Sequence, residues 1–155
     1  MPALLPPSGC FDGARHLFAV RVYFEDTDLS GVVYHANYLR WFERARSDML
    51  RLLGIDQRGA HEAGEGAFAV TDLALKYLRP ARLDDDVVIA STVAEVTRVT
   101  CSLEQQAWRG AELLAEGQVR VAFVSPLGRA RRLPAHFHSA FTALTALPPE
   151  GSVHP

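Results

Sequence analysis

One segment of this chain has to be a long helix, and almost everything around it reads as strand. Across residues 37–53, Tyr38, Trp41, Phe42, Ala45, Met49, Leu52 and Leu53 recur at three- and four-residue spacing and fall on one apolar stripe. Arg40, Glu43, Arg44, Ser47, Asp48 and Arg51 take the rest of the surface. Asn37 suits the N-cap, and Gly54 suits the position just past the end, where a left-handed residue closes a helix. This is the only long helix the pattern supports. Its stripe carries Trp41 and Phe42, so it must pack against something large.

Residues 17–24 (LFAVRVYF) put Val20, Val22 and Phe24 on one face of a strand. Four more strands are predicted over 67–78, 86–96, 99–108 and 112–125, and Arg109-Gly110 between the last two is a hairpin signal. Strand, long helix, then four strands in an antiparallel meander predicts an α+β fold: a five-stranded antiparallel sheet wrapped around one long helix, the hotdog architecture. Such a sheet alone leaves open edges, so pairing with a second copy is expected, as a homodimer or homotetramer. Residues 1–15, rich in Pro and Gly, read as a flexible N-terminal arm. Residues 16–134 form the domain, and 135–155 a tail with a short helix over 135–146.

At 155 residues the chain is long enough to bury a core without disulfide or metal. A net charge of −2 with no extended basic run argues against nucleic acid as a partner, while leaving room for a small anionic ligand. Cys10 and Cys101 make no disulfide framework and are expected to be free thiols. The start MPALLPPSGC lacks a basic leader region and is broken by prolines, and no window approaches a membrane span, so the expected address is the cytoplasm.

The chemistry concentrates in residues 23–46. Glu25, Asp26 and Asp28 stand at the end of an apolar strand, Gly31 supplies a bend, and the striped helix begins near Asn37. A carboxylate held close to a helix N-terminus can act on a carbonyl: it attacks or activates water, and free backbone N–H groups take up the developing oxyanion charge. Asp28 has a bland rival role, since Asp before Gly commonly bonds nearby backbone N–H groups. Asp26 reads as a structural acid and Glu25 as a solvated strand end. His136 and His138 have no metal-ligand spacing with other candidates, and no metal is expected.

The segment VYFEDTDLSGVVYHANYLRWFERAR resembles the signature of the 4-hydroxybenzoyl-CoA thioesterase family of hotdog proteins, and most of all its bacterial subgroup associated with the Tol-Pal system. ALKYLRPARLDD, the strand containing SLEQQ, and FVSPLGRARRLP also fit, so the resemblance spans roughly residues 17–133. It implies hydrolysis of a short-chain acyl-CoA thioester to free acid and coenzyme A, without metal or bound organic cofactor, in a site at a dimer interface. It implies Asp28 as the catalytic carboxylate, acting as nucleophile or as general base, and the backbone N–H of His35 as the group facing the thioester carbonyl. Tyr34, Gly31 and Asn37 would line or shape the site. Arg98, between two strands, matches a region that contacts the nucleotide in related enzymes, and Arg129, Arg131 and Arg132 form the densest basic patch.

Alternatives remain open at this level. In another branch of hotdog thioesterases a helix Glu is the catalytic acid, so Glu43 is the second candidate, although its arginine neighbours favour an ion pair. The carrier can be an acyl carrier protein instead of coenzyme A. A hotdog hydratase would need a catalytic His with a carboxylate. A non-enzymatic dimer serving cell-envelope or phospholipid machinery is the remaining reading.

Overall fold

In the computed structural model, which describes residues 1–147, the striped segment is helix α1 (Asn37–Leu52) and lies on one face of an antiparallel sheet. The sheet has six strands, not the five expected: β1 (Cys10–Asp12), β2 (Arg15–Arg21), β3 (Ala67–Tyr77), β4 (Asp86–Val96), β5 (Thr100–Arg109) and β6 (Glu112–Val124). The extra strand is β1, inside the segment read as an arm. It pairs with β2 from Cys10↔Leu17 to Asp12↔Arg15. Three residues are too few to display a period-two pattern, which is why the sequence conceals it.

The spatial order β1-β2-β4-β5-β6-β3 also corrects the simple meander. Only β4, β5 and β6 meander. β3 crosses to the far edge and pairs with β6, from Ala67↔Val124 to Tyr77↔Ala115. Among the described residues there are two further α-helices: α2 (Gln57–Glu62), which has no counterpart in the sequence pattern, and α3 (Ala135–Thr145). The last eight residues of the expected tail lie outside the described residues. Among the described residues no helix is long and apolar enough to cross a membrane.

Tyr38, Trp41, Phe42, Ala45 and Met49 of the stripe are buried as the spacing requires. Leu52 is exposed, and Leu50 takes its place in the core. Each fully buried large side chain of this kind contributes about 1.5–3 kcal/mol. The first half of α1 packs Tyr38, Trp41 and Phe42 against Val20, Val22 and Ile89. The second half packs Met49 and Leu50 with Phe123 of β6 and Phe137 and Phe141 of α3, so α3 covers the far end of the sheet. Buried Gln105 joins helix to sheet: its amide donates to the Phe42 carbonyl (3.0 Å) and to Ser91 Oγ (2.9 Å), and its Oε1 accepts from Arg46 Nη1 (2.8 Å). On the other flank His16 Nε2 meets Asp48 Oδ2 at 2.7 Å, and the Gly9 amide donates to the same oxygen at 3.0 Å.

Candidate active site

The first strand was expected to run to Phe24, but β2 ends at Arg21 and Phe24–Asp26 form one turn of 3₁₀-helix. Asp26 causes the curl. Its Oδ2 accepts the Tyr23 amide at 2.7 Å, and its own amide donates to the Tyr23 carbonyl at 3.0 Å. Its Oδ1 accepts from Asn37 Nδ2 at 2.7 Å, tying the strand end to the start of α1. Asn37 is therefore not the N-cap. Ala36 holds that position without a side-chain bond, and the Asn37 amide group is spent on Asp26.

Between these anchors the chain makes a tight loop with paired legs. The Tyr34 amide donates to the Asp26 carbonyl (2.9 Å), Thr27 bridges Val33, and the Asp28 amide donates to the Val32 carbonyl (2.8 Å). Gly31 turns the tip at φ 80°, where a Cβ would be strained, and its amide donates to the Asp28 carbonyl at 3.1 Å. The loop is pinned to the connection between β3 and β4 by the Val33 amide on the Ala81 carbonyl (2.9 Å).

Asp28 stands fully exposed on this loop. Its Oδ1 accepts from Ser30 Oγ at 2.6 Å and from the Ser30 amide at 2.8 Å. The Ser30 hydroxyl first, and then its amide, hold the carboxyl below the usual carboxylate range, so it is ionised at neutral pH. The short-range turn bonding weighed for this residue and an available carboxylate thus coexist.

His35 and Ala36 close the gap to the helix. Among the described residues no acceptor reaches their amide N–H groups, which join the open donors of the helix start. The His35 carbonyl is fixed from the other side by the Tyr77 hydroxyl, which donates at 2.6 Å. The His35 ring leans on Tyr34 (centroids 4.5 Å) and meets the Tyr77 edge at 6.3 Å. Tyr38 is buried, and its hydroxyl oxygen accepts the Ala81 amide at 3.1 Å. Sequence reasoning did not single out Ser30 and Tyr77, and it read Tyr38 only as a member of the apolar stripe. The Ser two places after an Asp was the available signal for the first; the hydrogen bonds of the two tyrosines were hidden because their partners are distant in sequence.

The structure brings Asp28, Gly31, Tyr34, His35 and Asn37 into one loop and helix start. It does not bring Arg98 to them. The loop joins the sheet where β4 begins, through the Val22 amide on the Asp85 carbonyl (2.9 Å). Arg98 follows the other end of β4, roughly 35 Å away by strand rise. There it has company: the Leu133 amide donates to the Arg98 carbonyl (2.8 Å), and Arg131 Nη1 donates to the Gly64 and Glu65 carbonyls (3.0 and 2.6 Å). Glu43 is engaged by Arg46 in an ion pair on α1. Among the described residues no three His, Cys, Asp or Glu side chains group as a metal site.

A sheet wrapped on one long helix is the hotdog architecture, and here an ionised aspartate stands on the loop entering that helix. The family model of the thioesterase superfamily matches residues 30–116, and the chain belongs to that superfamily, as a thioester hydrolase. It is 42% identical over 126 residues to the acyl-CoA thioesterase YbgC of Haemophilus influenzae, covering 78% of this chain and 93% of that one. The acyl-CoA thioester hydrolase YbgC of Escherichia coli O157:H7 is 40% identical over 124 residues, covering 79% and 92%. A solved probable thioesterase from Bartonella henselae superposes with a TM-score of 0.74 at 36% identity, covering 77% of this chain and 99% of that one.

Proposed function

We propose that this protein hydrolyses short-chain acyl-CoA thioesters at a site built by two copies of the chain, with Asp28 supplying the reacting carboxylate. The observation that carries the reading is the loop itself. A carboxylate kept ionised by Ser30 shares it with the unpaired amides of His35 and Ala36. As nucleophile, an Asp28 oxygen adds to the thioester carbonyl carbon, the charge moves to the carbonyl oxygen facing those N–H groups, and the C–S bond breaks to release the coenzyme A thiolate. Water then cleaves the mixed anhydride, giving the free acid and restoring Asp28. As general base, Asp28 instead takes a proton from the water that attacks, and the thiolate leaves in the same way. The reaction draws on no metal or organic cofactor.

The second copy follows from edge strand β3. One side of it is unpaired among the described residues, and it exposes Val70, Leu73 and Tyr77. An unprotected apolar edge of this length is a template for another strand. Antiparallel pairing of β3 with the same strand of a two-fold partner sets the Tyr77 end of each copy beside the Ala67 end of the other. The Asp28 loop lies at the Tyr77 end; Arg98 and Arg131 lie at the Ala67 end. The pairing therefore carries the arginines of one copy toward the loop of the other, where they meet the phosphates of coenzyme A.

The test is thiol release from acyl-CoAs running from acetyl to palmitoyl plus a benzoyl type, with wild type beside Asp28→Asn. Turnover by wild type, lost in the folded variant, is expected; full activity in Asp28→Asn rejects the assignment. Mixing Asp28→Asn with Arg98→Glu in one dimer leaves one intact site if the two residues act across the interface. Recovery of activity is then expected, and none appears if they act within one chain. If no acyl-CoA exceeds a kcat/KM of about 10⁴ M⁻¹s⁻¹, an acyl carrier protein substrate or a non-enzymatic role replaces this reading.

A further inference from the structure

The successive amides of Tyr34, His35, Ala36 and Asn37 lead into α1, and they divide into two kinds. The Tyr34 N–H is spent on the Asp26 carbonyl (2.9 Å) and the Asn37 N–H on the Tyr34 carbonyl (2.8 Å). The N–H groups of His35 and Ala36 between them are open among the described residues. Each open N–H shares a planar peptide with the carbonyl of the residue before it, and the two groups of one trans peptide point in opposite directions. Whatever holds the carbonyl therefore aims the N–H. The peptide carrying the His35 N–H is held by the start of α1 itself, through the Asn37 amide on the Tyr34 carbonyl. The peptide carrying the Ala36 N–H is held from elsewhere. Among the described residues no backbone donor reaches the His35 carbonyl, and the Tyr77 hydroxyl donates to it at 2.6 Å.

We infer that Tyr77 is a positioning residue for thioester hydrolysis: by holding the His35 carbonyl it turns the Ala36 N–H toward the oxygen of the reacting carbonyl, as a second donor beside the His35 N–H. The inference rests on the acyl-CoA reading above and adds a residue to that site. Tyr77 is built to hold an aim. It ends β3 opposite Ala115, and the next amide, that of Leu78, donates to the Leu114 carbonyl at 2.8 Å. Its ring meets those of Tyr38 (5.5 Å) and His35 (6.3 Å) edge to face, so the phenol packs between a core residue and the loop it ties. The hydroxyl has one proton and gives it to the His35 carbonyl. Tyr77 thus acts through the peptide and not on the reacting atoms. Without that bond the peptide is free to turn about the single bonds on either side of it, and charge developing on the thioester oxygen loses a preorganised donor.

The experiment measures kcat and KM of wild type, Tyr77→Phe and Asp28→Asn on whichever acyl-CoA of the panel above wild type hydrolyses fastest. Phenylalanine keeps the ring and removes only the hydroxyl of a half-exposed side chain, so the variant should fold, which its thermal midpoint checks. Deleting an oxyanion donor outright costs about 10²–10³-fold in kcat. Here the N–H remains and loses only its aim, so kcat and kcat/KM should both fall about tenfold, with KM within about twofold. A second readout separates positioning from stability. Hydrogen bonds to the thioester oxygen lower its carbonyl stretching frequency, which infrared difference spectra record for the isotope-labelled acyl-CoA bound to Asp28→Asn. Adding Tyr77→Phe should return that band part of the way to its position in the free thioester. With wild type active and Asp28→Asn inactive, an unchanged kcat in Tyr77→Phe, or the same band with and without the hydroxyl, overturns the positioning role alone. Inactive wild type, or active Asp28→Asn, removes the acyl-CoA reading and this inference with it.

Discussion

Replacing Asp26 with alanine separates the two aspartates of the loop. The Asp26 carboxylate accepts two bonds of 2.7 Å, from the Tyr23 amide and from Asn37 Nδ2, at a residue only 9% exposed. Hydrogen bonds to a charged acceptor contribute about 1.5–3 kcal/mol each. Tyr23 is exposed, so its freed amide regains water and the lower end of that range applies. Asn37 is half-buried and loses the partner that sets its orientation. The sum is a loss of about 3 kcal/mol, which at a urea dependence of about 2 kcal/mol/M lowers the midpoint by about 1.5 M. Urea unfolding followed by fluorescence of Trp41 and Trp108, at fixed protein concentration, measures it. Hydrolysis should be weakened but retained where the variant is folded, because Asp28 is untouched. An unchanged midpoint with hydrolysis abolished would refute the reasoning and exchange the roles of the two acids.

Trp41→Ala should cost about 3–5 kcal/mol in the same unfolding assay, since it empties a buried site that holds a ring packed 5.2 Å from Tyr38; an unmoved midpoint would put the stripe outside the core. Ser30→Ala should shift the acid limb of kcat/KM to higher pH. Ser30 holds the Asp28 carboxyl low, so ionised Asp28 persists into more acid solution in wild type and is lost sooner once the hydroxyl is gone. The same sign governs stability: the contribution of the ionised carboxylate is present above its unfolded pKa and disappears as pH falls through the depressed folded one. A limb that does not move would show that Asp28 does not set it. Thiol titration of the native protein should find one reactive cysteine per chain, the exposed Cys10. Cys101 should react only in denaturant, and rapid native labelling of both would contradict its burial.

What could be read from the sequence followed from how local each signal is. The α1 stripe from Tyr38 to Met49 and the Gly54 stop are short-range patterns, and both appear where the spacing puts them. The Arg109-Gly110 hairpin is local as well, with Gly110 at φ 57°. The crossing of β3 to the far edge left no mark, because a strand facing β6 carries the same alternation as one facing β4. Leu50 and Leu52 exchanged places because α3, packing over the second half of α1, widens the buried arc beyond one stripe. In the loop, the residue types pointed to a carboxylate beside a helix start, but Asn37 looked like a cap and is a tether instead. Its partner Asp26 lies eleven residues away, outside any capping pattern.

The uncovered side of β3 has a geometric origin. Six strands at about 4.8 Å spacing make a sheet about 24 Å wide, whereas a helix with its side chains is about 10–12 Å across. One α1 therefore covers only about half the width, and it sits over β2, β4 and the strands next to them. The apolar side of β3 is left for another helix to shelter, and a second copy offers one at no cost in new sequence. In the proposed pairing, turning β3 antiparallel on itself would set the Asp28 loop of each copy against the Arg98 and Arg131 end of the other. The exposed carboxylate and the open amides stand on the loop and the arginines at the far end, so the pairing of edges is what would bring them together.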